Sequence, residues 1–173
     1  MRTRNLCLAA AAPLLVLACA APPPAPPAPT PADLVKAANE LDAAFVEAFN
    51  RGDADALAAL YSTGTSVVSF PPDAFALRGH ESILEGNRKS FAASPGAQIE
   101  LTEHNQIPGG DLVIGWGTFK VTIPGPDGKT TEYLGRFTDV KAERGGKWVY
   151  LIDHASFPLP PPPAPEEATS PKP

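Results

Sequence analysis

Cysteine is nearly absent from this chain. It has two, Cys7 and Cys19, both within the first twenty residues, so none stands in the stretch patterned to fold. Disulfides, thiol catalysis and cysteine-ligated zinc are thereby excluded from the folded part. Histidine is scarce as well: His80, His104 and His154 fall on three separate predicted elements, no two at a ligand-like spacing. The neighbouring acids Glu81, Glu103 and Asp153 would point away from them on strands, so neither a metal site nor a cofactor is expected. Positive charge is also in short supply, with 14 Lys and Arg against 19 Asp and Glu for a formal charge of −5. Loss of Arg2 and Arg4 with a cleaved leader would take that to −7. Such a balance argues against a nucleic-acid partner, which requires a basic face.

Long apolar runs are missing too. The run after Arg2 and Arg4 is too short to span a bilayer comfortably and ends in small residues, which is the pattern of a signal peptide over residues 1–18. Val16-Leu17-Ala18-Cys19 resembles the bacterial lipobox, in which a small residue precedes a cysteine that takes a diacylglyceryl group. Lipidation of Cys19 would hold the protein on the periplasmic side of the cell envelope, with the outer membrane the expected anchor. An ordinary secretory signal, cut between Ala18 and Ala21, would release it instead.

Proline is abundant where the core-forming residues run out. Residues 19–31 are an Ala/Pro tether and residues 158–173 a Pro-rich tail, compositions that favour extended polyproline II and build no core. A docking site for a proline-reading partner is the alternative. Between them, residues 32–157 form one domain of about 125 residues, an ordinary size for a single core.

That domain reads as α+β. Thr30, Pro31 and Asp33 supply a cap, a first-turn proline and an acid three residues beyond the cap. Leu34, Ala37, Ala38, Leu41, Phe45, Ala48 and Phe49 then recur at helical spacing until Gly52. Asp53 caps a second, shorter helix ending near Tyr61, and residues 79–93 predict a third. "TSVVSF", stopped by Pro71 and Pro72, suggests a short edge strand. From residue 97 the period changes to two, and glycine-rich turns separate strands at about 97–107, 111–123, 130–143 and 147–156. Val113, Gly115, Gly117, Phe119, Val121 and Ile123 share the face expected to be buried, and its glycines would let a long sheet curl around the helices into a conical hollow.

The order of these elements, with "FVEAFNRGDADALAALYSTGTSVVSF", "LRGHESI" and "GRFTDVKAERGGKWVYLIDHAS", resembles the nuclear transport factor 2-like superfamily, especially its SnoaL-like and ketosteroid-isomerase-like bacterial members. The resemblance implies a cone of helices on a strongly curved antiparallel sheet, often dimeric, with a pocket in the cone and no single activity. Steroid isomerisation needs a carboxylate base and a hydroxyl-bearing oxyanion hole. The matching positions here hold Ser69 and Phe45, which supply neither.

The polar candidates lie on the last strands. Gly135, Phe137 and Asp139 share one face; Tyr150, Ile152, His154 and Ser156 share another, with Val149, Leu151, Asp153 and Ala155 on its reverse. Strand alternation leaves open which faces inward. The His154-Ala155-Ser156 triplet resembles the strand end of the calcium/calmodulin-dependent kinase II association domain, whose pocket carries a charged residue at the position of Asp139, there of opposite charge. Should His154 face the hollow, Asp139 and His154 could bind a polar group or act as acid and base. Otherwise His154 is a hydrogen-bonded strand-end residue. Tyr61 and Trp116 are further candidate ligand contacts, and Arg136 is expected to pair at the surface. Ser156 and His154, two residues apart on a strand and about 7 Å apart at their backbones, make no nucleophile pair.

Three functions are compatible with these features. The first is a non-catalytic, membrane-tethered domain holding a small apolar or amphipathic molecule. The second is a cyclase, dehydratase or isomerase using Asp139 and His154, and the third a homodimeric assembly module whose cone is filled by its own Phe45, Phe49, Phe91 and Phe119.

Overall fold

The computed structural model describes residues 28–64, 67–69 and 77–158. The expected signal peptide, Cys19, most of the tether, the Pro71-Pro72 stop and the tail from residue 159 lie outside the described residues.

Helix α1, Pro31–Asn50, starts at the capping box read from Thr30 and Asp33: the Thr30 hydroxyl accepts from the Asp33 amide and the Asp33 carboxylate accepts from the Thr30 amide. Gly52, at φ 65°, turns the chain, and Asp53 caps α2, Ala54–Ala58, by accepting from the Ala56 amide at 2.9 Å. The chain then docks on the sheet through a parallel bridge between Tyr61 and Tyr150. Two short strands, β1 (Val67–Ser69) and β2 (Leu77–Arg78), lead into α3, Gly79–Ala93. The meander follows as β3 (Gln98–Gly109), β4 (Leu112–Pro124), β5 (Thr130–Arg144) and β6 (Lys147–Ser156), close to the ranges read from the sequence.

One element departs from expectation. β1 lies inside the sheet, whose order is β2-β1-β6-β5-β4-β3, and pairs parallel with β6 on one side and antiparallel with β2 on the other. A two-residue partner such as β2 is too short to show a period in sequence, so the edge it covers could not be read there.

Helix α1 packs across β3, β4 and β6 while α2 packs on α3, so the sheet curls around a helical lid. Two bulges shape it. Thr102 is an extra residue between the pairs Leu101↔Phe119 and Glu103↔Thr118, and Leu151 is extra between Val140↔Ile152 and Lys141↔Tyr150. Each bulge bends its strand and shifts the alternation by one, so that even-numbered side chains replace odd ones inside β3 and odd replace even inside β6. Gly117 permits the close approach at the first bend, since a Cβ there would meet the Glu103 carbonyl oxygen at 1.9 Å. On the convex side, Ile107, Ile114, Val140 and Ile152 align in one row across four strands, and Ile152 is 50% exposed.

Candidate functional site

Between α1, α3 and the concave face lies a cavity of about 450 Å³. Most of its wall is aliphatic or aromatic: Phe45 and Phe49 from α1, Ile99 and Leu101 from β3, Phe119 and Val121 from β4, Phe137 from β5 and Phe157 beyond β6. Of the four phenylalanines expected to fill the cone, Phe45, Phe49 and Phe119 line it instead, and Phe91 packs edge-on against Phe49 at 5.3 Å. At one end the apolar wall gives way to Asp42, Tyr61, Asp139, Tyr150 and Asp153.

Asp42 is the hub of the first polar group. It stands on the apolar stripe of α1, four residues after Ala38 and three before Phe45, and is 4% exposed. Its Oδ2 accepts from Lys141 Nζ at 2.6 Å and Gln106 Nε2 at 2.6 Å, and lies 2.8 Å from His104 Nε2. Its Oδ1 accepts from the Tyr150 hydroxyl at 2.5 Å. A buried carboxylate with this many donors, one of them a fully buried ammonium, has its desolvation offset by charge and hydrogen bonds.

Asp139 is treated differently. It is 3% exposed, and its Oδ1 makes no hydrogen bond among the described residues. Lys141 Nζ lies 3.1 Å away as an ion-pair contact, shared with Asp42, to which it is bonded more closely at 2.6 Å. Burial lifts the Asp139 carboxyl to about 7, Lys141 opposing and the Asp42 charge adding to the rise. Asp153 is its direct cross-strand neighbour and donates nothing to it. Burial also raises the Asp153 carboxyl, against the Tyr61 hydroxyl that hydrogen-bonds it at 2.5 Å. Burial is likewise the main reason that the Tyr61 and Tyr150 hydroxyls sit well above the usual phenol range.

Of the residues singled out in sequence, Tyr61 and Asp139 line the cavity. His154 and Trp116 do not. His154 is exposed on the convex face, opposite Thr138, while Asp153 takes the inward place beside Asp139. Asp139 and His154 therefore do not meet, and the acid–base pair expected of them is corrected. The cause is the Leu151 bulge: Tyr150 faces the hollow as its alternation group requires, but beyond the bulge Ile152 and His154 turn outward. Trp116 is 40% exposed on the same convex face, in register through Thr138 with His154, and Arg136 is exposed there as well. Ser69 lies on β1 in register with His154, and Phe45 is part of the apolar wall.

Sequence reasoning passed over Asp42, His104, Gln106, Lys141 and Asp153. Signals existed for two of them. Asp42 interrupts an apolar helical stripe, and Lys141 continues the Gly135, Phe137, Asp139 alternation by one step. His104, Gln106 and Asp153 are brought inward by bulges, which leave no mark on composition.

Helices backing a strongly curved antiparallel sheet around a conical cavity define the nuclear transport factor 2-like fold. More narrowly, the chain belongs to the SnoaL-like domain family, whose profile matches residues 43–151. Solved structures of similar shape include a proposed dehydratase of the nuclear transport factor 2-like family from Streptomyces avermitilis, 25% identical with a TM-score of 0.66 over 76% of this chain and 100% of that one. A proposed aromatic ring hydroxylase from Novosphingobium aromaticivorans is 20% identical with a TM-score of 0.66, covering 76% of this chain and 94% of that one. A proposed calcium/calmodulin-dependent kinase II association domain from Xanthomonas campestris is 22% identical with a TM-score of 0.58, covering 78% and 93%. The last two likenesses speak for the fold alone. No curated protein matches the chain significantly.

Proposed function

We propose that this chain is an extracytoplasmic, lipid-anchored SnoaL-like domain that holds a small apolar or amphipathic molecule in its cone without transforming it. The observation that carries this reading is the open cavity of about 450 Å³, apolar over most of its wall and polar at one end. That size and lining suit a small-molecule site, for which about 300–1,000 Å³ is usual. The lipobox-like Val16 to Cys19 supports the anchor and the periplasmic placement, and the aligned convex isoleucines, with Trp116 beside them on the same face of β4, support pairing with a second copy.

Native mass spectrometry of the full-length chain extracted from membranes tests the reading. A homodimer carrying a non-covalent adduct that is lost on denaturation is expected, together with a diacylglyceryl mass increment absent from Cys19→Ser. A protein that retains no adduct and takes up no apolar probe would sink the binding reading. A Cys19→Ser chain that fractionates like the parent would sink the anchor.

One observation favours an enzyme as the second reading: the Asp139 carboxyl is poised at about 7 and faces the cavity. In a dehydratase or isomerase, Asp139 would carry the proton, with Tyr61 and Asp153 as its neighbours in place of His154. The proposed dehydratase activity of the Streptomyces protein accords with this. Turnover of the identified adduct, abolished by Asp139→Asn, would establish it over simple binding.

A further inference from the structure

The ligand class can be narrowed, on the premise that the cone binds a small molecule at all. We propose that the cone selects a hydrophobic amine, its ammonium group held against Asp139 and its apolar body among the phenylalanines of α1, β4 and β5.

The polar end of the cavity is rich in negative charge and hydrogen-bond acceptors. Among the described residues, three carboxyl groups, Asp42, Asp139 and Asp153, line the cavity, and no Lys, Arg or His does. The nearby ammonium, Lys141, is fully buried behind the wall and hydrogen-bonded to Asp42. The two phenols each have one hydrogen, given to Asp153 by Tyr61 and to Asp42 by Tyr150. Asn87, Ser90 and Ser94 on α3 are neutral, and Asn87 Nδ2 is a buried donor that makes no hydrogen bond among the described residues. What the polar end presents to a ligand is the Asp139 carboxyl, which lines the cavity and whose buried Oδ1 makes no hydrogen bond among the described residues. The Lys141 ammonium 3.1 Å from this oxygen is shared with Asp42, so an ammonium ligand adds a donor and a second positive charge among three carboxyl groups, whereas a carboxylate ligand would add a further negative charge. Aromatic faces complete the site. The Tyr61 and Tyr150 rings stand 5.2 Å apart at the carboxyl end, and Phe45 meets Tyr150 edge-on at 5.8 Å.

The charged and titratable groups around Asp139 are Asp42 on α1, Tyr61 after α2, Lys141 on its own strand β5, Tyr150 and Asp153 on β6, and, behind Asp42, His104 on β3. On β4 the residue opposite is Gly115, where a Cβ would meet Asp139 Oδ1 at 2.6 Å. Because the Asp139 carboxyl is held at about 7, an ammonium must displace its proton below that pH and finds it ionised above. Amine affinity therefore rises about tenfold from pH 6 to pH 8 as the competent, ionised fraction rises. A neutral alcohol accepting from the protonated acid shows the opposite sign.

The experiment is calorimetric titration of the full chain with three isosteric probes, 1-naphthylmethylamine, 1-naphthylmethanol and 1-naphthoate, at pH 6 and pH 8. The expected result is amine binding at least tenfold tighter than the alcohol at pH 8, narrowing at pH 6, with no carboxylate binding. In Asp139→Asn the amine should lose its advantage and its pH dependence while alcohol binding persists, which also reports an intact cone. Should that variant fail to fold, the comparison between the two pH values in the parent chain decides alone. Alcohol binding equal to or tighter than the amine at pH 8 would overturn the amine proposal and leave the binding reading standing. Uptake of none of the three probes would overturn both.

Discussion

Two aspartates, Asp42 and Asp139, are buried to nearly the same degree within one polar end of the cone, and share the ammonium of Lys141 as a neighbour. One is surrounded by four side-chain partners and the other has an oxygen with no hydrogen bond. Burial alone therefore does not describe either. The Asp42 cluster ties α1 to β3, β5 and β6 and closes its own hydrogen-bonding demands, which is the signature of a structural device. Asp139 bears a desolvation cost that nothing inside the protein fully offsets, and it does so on a cavity wall. An unmet buried acid there is better explained by a ligand or a proton-transfer role than by stability.

The largest effect expected from breaking this contrast is at the satisfied member. Asp42→Ala leaves the Lys141 ammonium deprived of its hydrogen-bonded counter-charge and should cost about 3–5 kcal/mol, read from urea unfolding. A loss below about 1 kcal/mol would show that the cluster does not hold the fold.

The unsatisfied member should behave oppositely. Asp139 has its carboxyl raised from 3.8 to about 7 in the folded state, so between those values the native protein holds the extra proton and stability falls as pH rises. The cost is absent below pH 4 and complete above pH 7, at most about 4 kcal/mol. Asp139→Asn, which stays polar and buried, should recover roughly 2 kcal/mol at pH 8 and nothing at pH 4. Destabilisation by this substitution at pH 8 would place Asp139 with Asp42 as a structural acid.

Smaller differences sharpen the boundary of the cluster. His104 contributes one contact to Asp42 from a side chain 25% exposed, so His104→Ala should cost about 1 kcal/mol in the same urea assay. His154→Ala, on the convex face, should leave stability within about 0.5 kcal/mol of the parent and ligand retention unchanged. A lost adduct in that variant would return His154 to the site.

Much of the architecture is legible in the sequence. The capping box at Thr30, the stop at Gly52, the cap at Asp53 and the third helix are local signals, each written in adjacent residues and obeyed in the fold. The four long strands were legible because alternation with glycine-rich turns is local too, and the buried face of β4 followed from it. Asp139 could be placed on the face of Gly135 and Phe137 by the same rule, and both line or border the cavity with it.

What the residues could not announce is where alternation slips. One extra residue at Leu151 turns His154 out and Asp153 in, and one at Thr102 turns His104 and Gln106 toward Asp42. A bulge is settled by pairing with a neighbouring strand and by curvature around α1, not by any local preference of leucine or threonine. The sequence by itself thus determined the elements, their order and the apolar character of the cone, since these depend on capping, periodicity and turn chemistry within a few residues. Only the tertiary structure decided which acids share the pocket, which of them is satisfied and how far the Asp139 proton is held. Those depend on desolvation and on partners that are as many as 108 residues apart along the chain.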